Sequence, residues 1–166
     1  MGVVAALLVL CGGVPRGAQR SGTTTLMLQV SPEARLEPQQ IALNFRVSGD
    51  GASDVTSQTN NVSAMVRALP GQNIRVTARL VSLSGPSGAV PAGQLTWSGS
   101  RARAAAGGQS AGCSSGVFES GAAHDLVSGW QRSGTLACAL TFALQDPRGL
   151  TPGLYAGTVQ LGLDAR

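Results

Sequence analysis

The chain has no lysine, and all twelve of its basic residues are arginines. That absence excludes Schiff-base chemistry, a Walker-type phosphate loop and the Lys–Asn cross-links that staple some surface pilins. Histidine is almost as scarce. The single His124 cannot by itself meet the three or four protein ligands that zinc requires, so no metal site is expected. Aromatic residues make up 4% and charged residues 12% of the sequence, a composition unlike a helical bundle and unlike a disordered polyelectrolyte. After residue 20 no stretch keeps a capped helical period. The net charge of +4 comes from scattered arginines with no basic run interleaved with aromatics, so nucleic acid is not an expected partner.

What remains is a chain rich in Gly, Ser, Thr, Ala and Val, of a length that suits one domain with a real core. Residues 3–11 form an apolar run, followed by Gly12, Gly13, Val14 and Pro15. It is too short to span a bilayer and has the length of a signal-peptide core, although only Met1 and Gly2 precede it. The expectation is a signal peptide over residues 1–20 and a single domain over 21–166. That places the mature chain outside the cytoplasm (periplasm, cell surface or secreted) with no transmembrane segment. Cys11 raises a lipoprotein alternative, but Leu10 before it is larger than such a processing site wants. The mature chain keeps Cys113 and Cys138, an even count that predicts a disulfide in an oxidising compartment. In the chain-entropy model it stabilises the fold by about 3.5 kcal/mol. There is no Cys-x-x-Cys to suggest redox catalysis.

Two-residue alternation recurs along the chain. Residues 23–30 form a first β-prone segment. Ile41, Leu43, Phe45 and Val47 alternate with smaller or polar residues before Gly49-Asp50-Gly51. Residues 62–66 give a shorter candidate. From Ile74 the apolar face runs through Val76, Ala78 and Leu80, then switches parity at Val81 and Leu83, which predicts a bulge near Leu80. Leu95 and Trp97 mark a short strand, and residues 98–115, poor in anything to bury, read as a long mobile loop tethered by Cys113. A brief strand follows at Val117 and Phe118. Leu136, Cys138, Leu140, Phe142 and Leu144 form the clearest strand, and Tyr155, Gly157, Val159, Leu161 and Leu163 the last. About eight strands with Gly/Pro turns predict an all-β, immunoglobulin-like (Greek-key) sandwich with Trp97 and Phe142 in its core.

The run Thr151-Pro152-Gly153-Leu154-Tyr155-Ala156-Gly157-Thr158-Val159-Gln160-Leu161 resembles the final strand of secreted bacterial immunoglobulin-like modules of the spore coat protein U and fimbrial type. The resemblance covers about a dozen residues. It implies an extracellular structural or adhesive module, with other surface subunits or itself as partner. The cysteines depart from the pilin pattern, lying late in the chain instead of near the start of the domain.

Four features carry candidate chemistry. Gly108-Gln109-Ser110-Ala111-Gly112 spells a Gly-x-Ser-x-Gly string, but a nucleophile elbow needs a strand before it and a helix after it, and here glycine-rich loops flank it. His124 would have to be its base; a surface or turn role is preferred. Asp50 and Asp54 could offer oxygen to calcium, yet their spacing matches no EF-hand, and turn formation is the simpler reading. Arg46, Arg75 and Arg79 fall on outward strand positions; on neighbouring strands they could hold an acidic glycan or phosphate, against the plainer role of a charged face that resists aggregation. Trp130 is the first suspect for stacking a sugar in that reading.

These features point to a non-enzymatic exported structural or adhesive surface module without catalytic residues or cofactor. The alternatives are a carbohydrate- or polyanion-binding module and, more remotely, a serine hydrolase using Ser110 and His124.

Overall fold

Ile41, Leu43, Phe45 and Val47 are spaced two apart, which in an extended chain puts all four on one side. They are buried, while Gln40, Ala42, Asn44 and Arg46 between them are exposed. The same rule builds the rest of the fold, given by a computed structural model that describes residues 33–48, 58–68, 70–106, 111–146 and 149–165. The described residues belong to one compact unit, Ser31–Arg166.

Seven long strands carry the sandwich: β1 (Glu33–Glu37), β2 (Gln40–Val47), β3 (Gln58–Arg67), β4 (Ile74–Gly85), β6 (Leu95–Ala106), β11 (Gly134–Leu144) and β12 (Gly153–Ala165). Five two-residue strands supplement them: β5 (Gly88–Ala89), β7 (Gly112–Cys113), β8 (Gly116–Val117), β9 (His124–Asp125) and β10 (Val127–Ser128). The first sheet runs β1-β3-β11-β6-β8 and the second β2-β12-β4-β5, with β9 also on β4; β7 and β10 pair separately. Every pairing is antiparallel. The chain crosses between sheets from β1 to β2, β2 to β3, β3 to β4, β5 to β6, β8 to β9 and β11 to β12. The protein is an all-β sandwich.

The core lies between the two inner faces. Leu140, Phe142 and Leu144 of β11 meet Phe45, Tyr155 and Val159 from the second sheet in one buried cluster. No charged or polar residue is fully buried among those described. Trp97 and Phe142 are core residues, as their alternation predicts. The bulge expected near Leu80 is present: Thr158 faces Ser82 while Val159 faces Leu80, so Val81 is the extra residue and turns outward.

Tyr155 secures the approach to β12. Its ring is buried, and its hydroxyl donates to the carbonyl of Thr151 at 2.6 Å, the tyrosine-corner arrangement that holds the bend before a strand in Greek-key sandwiches. Gly85 makes room for that ring, because a Cβ there would overlap it.

Three sequence expectations change. Residues 98–106 belong to strand β6, not to a loop; their backbone pairs with β11 from Gly134 to Thr141, with Ala102 as an extra residue. Small and arginine side chains hide this strand because it is defined by main-chain pairing at a sheet end with little to bury. β3 begins earlier than residue 62, at Gln58. At its start the Gln58 side-chain amide bonds the edge of β2 away from β12, accepting from the Asn44 N–H and donating to the Ala42 carbonyl, both at 2.9 Å. β1 was not anticipated, since only Leu36 of its five residues is buried. The β-prone segment 23–30 and the leader over 1–20, with Cys11, lie outside the described residues.

Tyr155→Phe should lower stability by about 1 kcal/mol, the usual net cost of one hydrogen bond. In urea the midpoint should fall with an unchanged slope. Phe142→Ala should cost about 3–5 kcal/mol. If Tyr155→Phe left the midpoint in place, the corner would be irrelevant to stability.

Candidate functional site

Arg46, Arg75 and Arg79 all point outward from the second sheet, but β12 separates β2 from β4. Arg46 lies opposite Leu154, Arg79 opposite Gln160 and Arg75 opposite Asp164. Along the strands this puts Arg79 roughly 20 Å beyond Arg46 and Arg75 roughly 13 Å beyond Arg79. The three share a face without converging on one point. Arg75 is also engaged: it forks onto Asp125, Nε to Oδ1 at 3.0 Å and Nη2 to Oδ1 and Oδ2 at 2.8 and 2.9 Å. Arg79 reaches the Gln160 side-chain oxygen at 3.4 Å.

The fold's main elaboration is the segment between β6 and β11, described from residue 111. It returns to both sheets at one side of the sandwich. β8 extends the first sheet by pairing with Thr96 and Trp97, and the Phe118 N–H donates to Leu95 at 3.0 Å. β9 extends the second by pairing with Thr77 and Ala78, and the Leu126 N–H donates to Val76 at 2.7 Å. The Arg75–Asp125 fork holds β9 against β4. The segment therefore covers edges that would otherwise be templates for aggregation.

Cys113 and Cys138 form the disulfide that fastens this segment to the middle of β11, with Cα atoms 6.0 Å apart. Gly99 allows the crossing: a Cβ there would run into the Ser114 carbonyl and the Cys113 side chain. Beside it lies a ring cluster, with Trp97 4.7 Å from Phe118 and 5.2 Å from His124. The half-buried His124 ring meets Phe118 edge-on at 5.6 Å, and its Nε2 accepts the Glu119 N–H at 3.0 Å. In this arrangement His124 organises the turn before β9, and the nitrogen a general base would use is already occupied.

Trp130 is not a surface platform. Its ring is 1% exposed, its indole N–H donates to the Arg132 carbonyl at 2.8 Å, and its own carbonyl receives the Ile74 N–H at 3.0 Å. It anchors the end of the elaborated segment against the start of β4. Glycine neighbours gave no hint of burial, because the packing partners come from distant strands. Ser110, Asp50 and Asp54 lie outside the described residues. Among the described residues no group of three His, Cys, Asp or Glu could hold a metal ion, and no helix is long and apolar enough to cross a membrane.

The class that fold and site define is a disulfide-clamped all-β sandwich. Comparison of the chain with protein-family models, with curated proteins and with solved structures gives no match.

The double change Cys113→Ser and Cys138→Ser should cost about 3.5 kcal/mol, read from the urea midpoint. It should also speed amide exchange in residues 111–130 more than in β12, because that segment pairs only through two-residue strands. Arg75→Ala, removing one exposed fork, should cost no more than about 1 kcal/mol.

Proposed function

We propose that the chain is a non-enzymatic exported module that works by contact, as a structural or adhesive component of a surface outside the cytoplasm. The Cys113–Cys138 bond carries this reading. It ties down the longest elaboration of the sandwich among the described residues, and such structural disulfides persist in oxidising compartments. The apolar leader-length run at residues 3–11 supports the same location. The interactions of the elaborated segment also favour contact over chemistry: His124 and Asp125 are both spent on holding β9 in place.

The polyanion reading draws on the shared outward face of Arg46, Arg75 and Arg79. It is the weaker reading, because Arg75 is committed to Asp125 and the other two stand far apart. Retention on an acidic polysaccharide that falls with salt and is lost in Arg46→Ala with Arg79→Ala would favour it.

Expression of the full-length chain in a bacterial host with an oxidising periplasm tests the main proposal. Intact mass should show removal of the leader and loss of the two thiol hydrogens. A chain that stays in the cytoplasm with its leader attached and both thiols free would overturn it.

A further inference from the structure

β1, β3, β11 and β6 lie side by side in the first sheet, so their outward side chains form rows across four strands. One row reads Glu37, Ser63, Ala137, Arg103 and the next Arg35, Met65, Thr135, Ala105. The first row carries opposite charges at its two ends, three strand spacings or roughly 14 Å apart. Between them is a shallow hollow of about 360 Å³ floored by Ser63, Met65, Thr135 and Ala137, where Met65 is 40% exposed. Both bonds from Arg35 go to one Glu37 oxygen, Oε1, at 2.9 and 2.6 Å. That leaves Oε2 without a partner among the described residues, and the exposed Arg103 guanidinium meets no described acceptor. Farther along, Asn61 pairs with Ala139 and Thr59 with Thr141, whose hydroxyls bond at 2.9 Å. From the Glu37 row to that end, β3 and β11 carry no charged residue.

We infer that this face binds the same face of a second copy of the chain, the two sheets stacked about a two-fold axis that runs along the strands between β3 and β11. An interface of this kind is self-complementary, each contact occurring twice. The axis lays β1 of each copy over β6 of the other and β3 over β11. Glu37 of one copy then meets Arg103 of the other at both margins, and each supplies the partner that the other lacks. Ser63 lies over Ala137 and Met65 over Thr135, so no two bulky side chains collide and the sheets can close to aligned face-to-face packing. Opposite signs at the two ends of one row are what select a second copy, because like signs there would repel it. The overlap is five rows deep on the middle two strands and two rows deep on the outer two, a footprint of roughly 500 Å² per copy. A total of about 1,000 Å² makes the contact a weak, reversible one. The inference deepens the contact function proposed above by naming the partner, and rests on that reading only for the view that the chain acts by contact.

The test is sedimentation velocity on the purified chain with its disulfide intact, from about 10 µM to about 1 mM, beside the Met65 methyl signal in NMR. The chain should pass reversibly from monomer to dimer with a midpoint on the order of 0.1 mM, and the Met65 signal should shift over the same range. Glu37→Arg and Arg103→Glu, both exposed changes outside the core, should each weaken the dimer by about tenfold or more, and the two together should restore it to within about threefold. A chain still monomeric at about 1 mM would overturn the inference. So would a dimer indifferent to both single reversals, one that the double swap fails to restore, or one whose formation leaves the Met65 signal in place, since association would then use another face. Leader removal and loss of the thiol hydrogens are read separately by mass, so failure here leaves the export proposal standing, and the reverse.

Discussion

The segment between β6 and β11 is rich in glycine and serine and pairs with the sheets only through two-residue strands, while Phe118, Leu126, Val127 and Trp130 anchor it in the core. The covalent link from Cys113 to Cys138 adds a fixed point to those contacts. Cys138 is already fixed by its place in the alternating inner row of β11, so the bond joins the segment to a strand paired on both sides. Once Cys113 is there, short pairings suffice: two residues of β8 on the first sheet, two of β9 on the second and the Arg75–Asp125 fork beside them. Trp130 closes the far end by burying its ring and bonding the start of β4.

That clamp governs which surfaces of the molecule are open. A sandwich with free edges invites further strands, and here the edges are treated differently. Near its middle, β2 is answered by a side chain, the Gln58 amide standing in for a neighbouring strand. β4 is covered at its ends by β9 of the clamped segment and by β5, and β6 is covered in part by β8. The outer face of the second sheet carries its arginines spread along the strands, which suits solubility better than it suits a single convergent site.

The strands with strict alternation were legible before any fold was known: β2, β11 and β12 need only the period of two to show which side faces inward. The bulge in β4 was legible too, because the switch from Ala78 to Leu83 breaks parity and only an extra residue restores it. The second half of β6 was hidden, since Arg101, Arg103 and the alanines around them form a strand only because β11 supplies a partner for their backbone. β1 was hidden for the same reason. The candidate site was less readable: outward orientation of Arg46, Arg75 and Arg79 follows from alternation, but their separation follows from strand order.

By itself the sequence determined the layered β architecture, the inner rows of the core and the even pair of late cysteines, because these depend on local period and on counting. Strand order, the side of the sandwich that the clamped segment covers and the burial of Trp130 were decided only by the tertiary structure. They depend on which distant strands become neighbours, and main-chain hydrogen bonds between strands carry no residue-specific mark that a single chain could display.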